Sequence, residues 1–549
     1  MSAKNTNKYS SRKKSSSMTT EQSLADYFVS GLMLVYVFFM LVLYPLLYHN
    51  KYFDMGDSKY AIFKWSGIVG LGLMTLLWIF WLWAFRDRIN PAAEVKGFSL
   101  TDWLVAGYFA ITLLSFLLSS DKGMALWGYK GWNMGFMSQL FFVLSYFYVS
   151  RFWKRSNVTI AAMVVTATIC YQIGVLQRFG FNPLGMYDGV GPEDIEKFLS
   201  TLGQTSWYSS YAVLIVPFGM YYYWTTDKRW LRILSGLFVA LGFGMICTTN
   251  SDSAYVAIVL IMMVFFRYSL DGNEKMKRFL EMAVIGLFSC RVIGWMQKLF
   301  PERQRTYITG EEKISKFVTS SGWMLLLMIL VMILYALFWV LCSKKKDGKE
   351  GFDISKYRKI IWGITVTAAV LVIWGVMMLV ILVTTRKLPA SMASLYDISF
   401  LNFDVTWGNH RGFNWRAAVA AFSHANFKDL LVGVGPDCFA TAMDRYYKQE
   451  VADYWNGLQL ACAHNEWLNM LVTEGILGLA SYVAIFVCAM RGAAAYVKEE
   501  PVLAALIAGT IAYMGHNIFC YQQCICTPVV FIFMGIMEGI LRERKRNTA

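Results

Sequence analysis

The sequence predicts an all-α polytopic membrane protein of about 14 transmembrane helices with one long folded extracytoplasmic loop. Three observations predict it. Hydrophobic residues make up 57% of the chain and charged residues only 16%, against about 25% charge in a soluble domain. Fourteen apolar segments are each long enough to cross a bilayer. A single stretch, residues 385–466, breaks that rhythm with a polar but tryptophan-bearing sequence.

In chain order, residues 1–26 are rich in Ser, Thr and Lys and read as a flexible basic tail. The first apolar segment is too long for a signal-peptide core and lacks a small-residue cleavage site, so it is expected to remain as a span. The segments lie near 27–48, 60–84, 102–120, 132–150, 157–177, 204–224, 231–247, 253–269, 279–299, 321–342 and 360–384, which form a membrane domain over 27–384. After the loop come 467–490, 501–519 and 524–542, a second membrane portion over 467–542, and a basic C-terminus at 543–549.

Charge sets the expected orientation. Lys and Arg collect in alternate loops, at RDR 86–88, RFWKR 151–155, DKR 227–229, KMKR 275–278, KKK 344–346 and RERKR 542–546. Cytoplasmic loops attract such residues, which places both termini inside. The net charge of +15 has the same origin, and no nucleic-acid-binding motif accompanies it. The ten cysteines lack paired metal-type spacing, and Cys520, Cys524 and Cys526 read as small packing residues. Cys438 and Cys462 are the two cysteines of the long loop, whose outer location would permit a disulfide between them.

The long loop is where chemistry is expected, because loops of this length are usually functional. Residues 411–425, RGFNWRAAVAAFSHA, place Trp415, Ala418, Val419 and Phe422 on one helical face. Arg411 shares that face, and Arg416 lies about 100° round the helix from Trp415. An Arg on an apolar face needs an anionic partner, either a carboxylate such as Asp404 or an anionic ligand. Gly433, Gly435 and Pro436 mark a tight turn. His464 and Asn465 stand where the loop becomes a span, at a helix N-terminus suited to an anion. Arg291 lies inside a span, where a cation is expensive. The acid pairs in DMGD 54–57 and SDS 251–253 are read as solvated loop charges in preference to metal ligands.

Taken in order, R-x-x-x-W at 411–415, G-V-G-P at 433–436, H-N-x-x-L from His464 and E-G-I-L-G-L from Glu474 resemble the O-antigen ligase family of bacterial membrane proteins. Looser similarity extends to ALWGYKGWNMG (125–135) and STLGQTSWYSSYAVLIVP (200–217). The resemblance implies a cell-membrane glycosyltransferase without metal or cofactor. Such an enzyme moves a glycan from an undecaprenyl-diphosphate carrier onto a hydroxyl of a glycan, lipid or protein acceptor. It further implies Arg411 as the diphosphate ligand and His464 as the base. Arg416, Asn465, Arg291 and Lys130 are the supporting substrate contacts. The chain departs from the family at TTNSDSAYVAI (248–258), where members carry Ser-Arg-Gly; Arg291, Lys130 and Arg178 are the candidate replacements for the missing cation. The competing class is a lipid-linked oligosaccharide flippase or other multi-span transporter, which has little need of a folded external loop of this length.

Overall fold

A computed structural model describes residues 28–84, 97–249, 251–303, 314–343 and 352–548. The N-terminal tail and the RDR and KKK runs fall outside the described residues. Among the described residues the only sheet is a two-stranded antiparallel hairpin, Phe198–Leu199 with Gly203–Gln204.

Each of the fourteen apolar segments forms a helix. They run Phe28–Leu46, Met55–Phe80, Leu100–Leu118, Phe136–Phe152, Asn157–Arg178, Thr205–Thr225, Arg229–Ile246, Ser253–Ser269, Asn273–Leu299, Gly322–Ser343, Arg358–Thr384, Glu466–Ala494, Val502–His516 and Thr527–Thr548. Among the described residues, nine helices are long and apolar enough to cross a membrane. The chain is therefore an all-α, multi-pass membrane protein.

The two most apolar helices are also the least buried. Gly322–Cys342 has a mean hydropathy of 2.9 and none of it is buried; Ile354–Thr384 has 2.8 and is 6% buried. Thr205–Thr225 and Val502–His516 are almost wholly buried yet contain Ser209, Ser210, Tyr208, Thr510 and Tyr513. Lipid tails are as apolar as leucine, so helices that touch lipid need greasy surfaces. Helices at the centre pack through small residues and shared hydrogen bonds. The central polar groups are paired accordingly: Tyr513 Oη donates to Glu466 (2.9 Å), Tyr482 Oη donates to the other oxygen of Glu466 (2.6 Å), and Ser209 lies 2.9 Å from His516 Nε2.

The segment between Thr384 and Glu466 folds into its own small unit. It contains helices Trp407–Ser423, Phe427–Val432, Phe439–Tyr446 and Lys448–Tyr454. Phe413, Ala417, Ala418, Ala421, Phe439, Met443 and Val451 form an apolar core separate from that of the bundle. The buried face of Trp407–Ser423 is thus the alanine face. Val419, expected inside, is 54% exposed. The face is turned because the helix enters through a left-handed turn at Gly408, Asn409 and His410, and because Trp415 packs sideways on Phe519 and Trp407.

Candidate functional site

Two glycine-bearing motifs lock the loop unit onto the bundle. Gly433 and Gly475 both have φ near +71°. A Cβ on Gly433 would lie 2.2 Å from the Thr473 backbone, and one on Gly475 would lie 2.4 Å from the Leu431 backbone. The two backbones touch where only glycine fits. Gly475 breaks the helix Glu466–Ala494. The freed Thr473 carbonyl accepts from the Gly435 N–H (3.0 Å) and the Ser115 hydroxyl (3.2 Å). This fixes the short first part of that helix, which begins directly after His464.

His464 has φ +51°, a conformation His tolerates better than most residues. Its backbone N–H donates to Cys462 Sγ (3.2 Å). Its ring meets the edges of Trp132 and Tyr521, at centroid distances of 5.7 and 5.4 Å. Neither ring nitrogen hydrogen-bonds to protein among the described residues. Burial first, then the Arg411 charge, lowers its pKa to about 4. It is a neutral imidazole at pH 7 with an unengaged lone pair.

Arg411 donates from Nε to the Phe519 carbonyl (3.1 Å) and from Nη1 to the Gly408 carbonyl (2.7 Å). Both partners are neutral, and no carboxylate pairs with it among the described residues. The pair expected with Asp404 does not form; Asp404 instead accepts from the N–H and hydroxyl of Thr406 (both 2.8 Å). Arg411 therefore keeps an uncompensated charge beside an aromatic shelf of Trp407, Trp415 and Phe519.

Trp132 is held by a carboxylate from the G-V-G-P segment. Asp437 Oδ2 accepts from the backbone N–H groups of Tyr129 and Met134, both at 2.9 Å. These bonds close the turn that carries Trp132. Burial pushes the Asp437 carboxyl up to about 7, against the pull of the two N–H groups.

The other candidates take different places. Asn465 is the N-cap of Glu466–Ala494 and accepts from the Leu468 N–H (3.0 Å), so its oxygen serves the helix. Arg416 is exposed and donates to the Phe403 carbonyl (2.5 Å), with its guanidinium over the Phe403 ring. Lys130 is exposed at the tip of the Trp132 turn. Arg291 donates to the carbonyls of Thr319 (3.0 Å) and Ser321 (2.6 Å), which caps the helix Ile314–Ser320 instead of reaching Arg411 and His464. Arg178 is fully buried against the Thr248 and Thr249 carbonyls. It is the cation beside the stretch that lacks the family's Arg. Cys438 and Cys462 are both free thiols, so the bond that their location would permit is not formed. Cys438 lies 3.8 Å from Ser119 Oγ instead.

Sequence reasoning missed the segment 517–526, which organises the whole site. Asn517 donates its amide to Glu466 and its carbonyl accepts the Glu466 N–H (3.0 Å). Phe519 holds Arg411. Tyr521 packs on Trp132 at 4.1 Å and donates to Gln204 (2.5 Å). Gln522 accepts from Gln139 (2.7 Å). The available signal was the polar pair His516–Asn517 and the pair Gln522–Gln523 inside an otherwise apolar run.

Residues 316–483 match the family model described as O-Antigen ligase. The match spans the loop unit, Arg411, Gly433–Pro436, His464 and the break at Gly475. The chain thus carries, over residues 316–483, a domain similar to the O-Antigen ligase family. No curated protein matches the chain.

Proposed function

We propose that this O-antigen ligase-domain protein transfers a glycan from an undecaprenyl-diphosphate carrier to an acceptor hydroxyl at the outer face of the cell membrane. The observation that carries the reading is the pairing of an uncompensated Arg411 with an unengaged, neutral His464 in one site of that domain. Arg411 takes the diphosphate, for which a guanidinium fork is well shaped. His464 accepts the proton of the acceptor hydroxyl. The acceptor oxygen bonds to the anomeric carbon as the bond from that carbon to the diphosphate oxygen breaks, and the electron pair leaves with the diphosphate. Diphosphate charge at Arg411 also offsets the cation that depresses His464, so donor binding strengthens the base. Asn465 acts by fixing the helix turn that follows the base. Arg416 and Lys130 are exposed and supply outer electrostatic attraction for the anionic donor.

In this reading the fourteen helices all cross the membrane, with both termini in the cytoplasm and residues 385–466 outside. A membrane-impermeant thiol reagent applied to intact cells should label Asn409→Cys and spare Lys345→Cys in a cysteine-free background; the reverse pattern overturns the orientation.

The chemical reading is tested with purified protein in lipid vesicles and a defined lipid-diphosphate donor. Arg411→Lys keeps the charge but loses the fork, and should weaken donor binding and transfer at normal protein level. Wild-type donor affinity in both Arg411→Lys and Arg411→Ala would remove Arg411 from the role. Deletion in cells separates the acceptor classes: long lipid-linked chains accumulate without a ligase, single repeats without a polymerase.

A further inference from the structure

The chain leaves the bare helix Arg358–Thr384 through Arg386 and Lys387. It comes back to the same end at Phe403, whose N–H donates to the Thr384 hydroxyl (2.8 Å). The excursion holds two short 3-10 helices, Ala390–Asp397 and Ser399–Leu401. None of the eight residues of the first is buried. Between Leu388 and Phe403 the one charged residue is Asp397. Met392 and Phe400 are 43% and 61% exposed. A stretch this apolar, with no protein over it, marks a surface that something else covers.

The order of residues in the first 3-10 helix identifies the cover. Such a helix has three residues per turn, so residues three apart stand above one another. Ser391, Ser394 and Asp397 therefore form one edge. Met392 and Leu395, with Ile398 at the C-terminal cap, form the next, and Ala390, Ala393 and Tyr396 the third. Tyr396 of the third edge is tied to the chain itself: its hydroxyl oxygen accepts from the Leu388 N–H (2.8 Å), and the Arg386 guanidinium lies 4.7 Å from its ring. A polar edge beside an apolar edge is the pattern of a segment lying along a water–lipid boundary. The polar edge and the irregular backbone exclude hydrocarbon depth, where no water satisfies them.

Lipid is favoured over a second copy of the chain because the apolar surface runs on from the helix Arg358–Thr384. Residues 371–378 of that helix, more than two full turns, are all exposed, so every side is bare. A second copy covers one side of a helix; lipid covers all of them. The helix is also long enough, at about 40 Å against a hydrocarbon core of about 30 Å, for its ends to reach the headgroup layers. Thr384 and Phe403, joined to each other, mark that level.

We propose that residues 388–403 form an interfacial anchor that lies along the membrane surface on the side of the loop unit. Met392, Leu395 and Phe400 enter the upper acyl chains, and Ser391, Ser394 and Asp397 face water. Arg386 and Lys387, both exposed, meet the phosphate groups of neighbouring phospholipids. The anchor is joined to the site, since Trp407 Nε1 donates to the Phe400 carbonyl (2.9 Å) and Trp407 opens the helix that carries Arg411. The placement is the same for either orientation of the chain and for any role of Arg411.

The test puts a nitroxide spin label on Ser391→Cys, Met392→Cys, Ser394→Cys and Leu395→Cys, one at a time, in the cysteine-free full chain in phospholipid nanodiscs. Collision with oxygen, which concentrates in lipid, is read against collision with a nickel chelate, which stays in water. Labels at Met392 and Leu395 should lie about 5–10 Å into the boundary between headgroups and acyl chains, while labels at Ser391 and Ser394 should meet the chelate. In the chain with its native cysteines, Phe400→p-benzoylphenylalanine should cross-link to phospholipid on irradiation. Free access of the chelate to all four labels overturns the proposal, because the segment then stands in water. Protection of all four from both reagents, or a cross-link to a second copy, overturns it as well, because protein is then the cover.

Discussion

The imidazole of His464 is held neutral down to about pH 4, first by burial and then by the charge of Arg411. In its proposed role as base the ring is thus ready across the whole physiological range and weak in the empty site. Because its pKa is lowered, protonation and loss of the base come only as pH falls towards 4, well below the ordinary value near 6.5. The kcat/KM for transfer, which reports the empty site, should therefore stay level from pH 7 to pH 5 as far as this group governs it. Arg411→Gln removes the charge and should move the His464 ring-proton titration upward in NMR, with His464→Gln used to assign the signal. A titration unchanged by Arg411→Gln would show that the two side chains are not coupled.

His464→Ala should lower turnover by about two to four orders of magnitude while donor affinity stays near wild type, since in the proposed reading Arg411 is the diphosphate ligand. Single-turnover transfer and equilibrium donor binding, measured on the same preparation, separate the two effects. Full turnover in His464→Gln would end the assignment as base.

Asp437 offers a stability test independent of catalysis. Its folded-state pKa is raised to about 7, above the unfolded value of about 3.9. The folded chain therefore holds more protons than the unfolded chain between those values, and this group makes stability fall as pH rises through that window. Asp437→Asn keeps an acceptor for the Tyr129 and Met134 N–H groups and should flatten this part of the profile. Asp437→Ala leaves both N–H groups unpaired and should cost about 1–3 kcal/mol for each. Thermal unfolding in detergent at pH 4.5 and pH 7.5 reads both; identical pH dependence in wild type and Asp437→Asn would contradict the account.

Gly433→Ala and Gly475→Ala should each destabilise the junction between loop unit and bundle. The positive φ alone costs about 1–3 kcal/mol, and the clash with the opposing backbone adds to it. Lower unfolding temperature and lower yield are expected in both. An alanine at Gly131, which also has positive φ but has nothing within 4 Å of its would-be Cβ, should cost less. Equal effects at all three positions would show that the backbone contact carries no weight.

These variants also mark what the sequence could and could not convey. Hydrophobic segments, charge alternation and the loop at 385–466 were legible because each is a local property. The order of motifs also singled out His464 and Arg411, which the fold brings close enough for the Arg411 charge to act on the imidazole. The face of Trp407–Ser423 was misjudged because periodicity says which residues avoid water, and both Trp415 and Ala418 do so, in different directions. Arg291 looked functional because insertion cost shows only that a buried cation needs partners; the carbonyls of Thr319 and Ser321 supply them. The hub at 517–526 was invisible because its partners, Glu466, Arg411, Trp132 and Gln204, come from four distant parts of the chain. Hydropathy likewise does not tell lipid from protein, so the two most apolar helices turned out to be the least buried.

The bare helix Arg358–Thr384 leads directly into the loop unit that carries Arg411. Only Val383 is buried along its 27 residues, and it is held at its ends, by Arg358 to Asp271 (2.7 Å) and by the Thr384 hydroxyl accepting from the Phe403 N–H (2.8 Å). At about 40 Å it is longer than a hydrocarbon core of about 30 Å, so in a bilayer it must lean. Its tilt, and with it the height of Phe403 and the following helix, depends on these two end anchors and on how the bilayer thickness matches the helix length. Bilayer thickness thus becomes one physical input to the position of Arg411: a thinner membrane favours a flatter strut and a lower Arg411 helix.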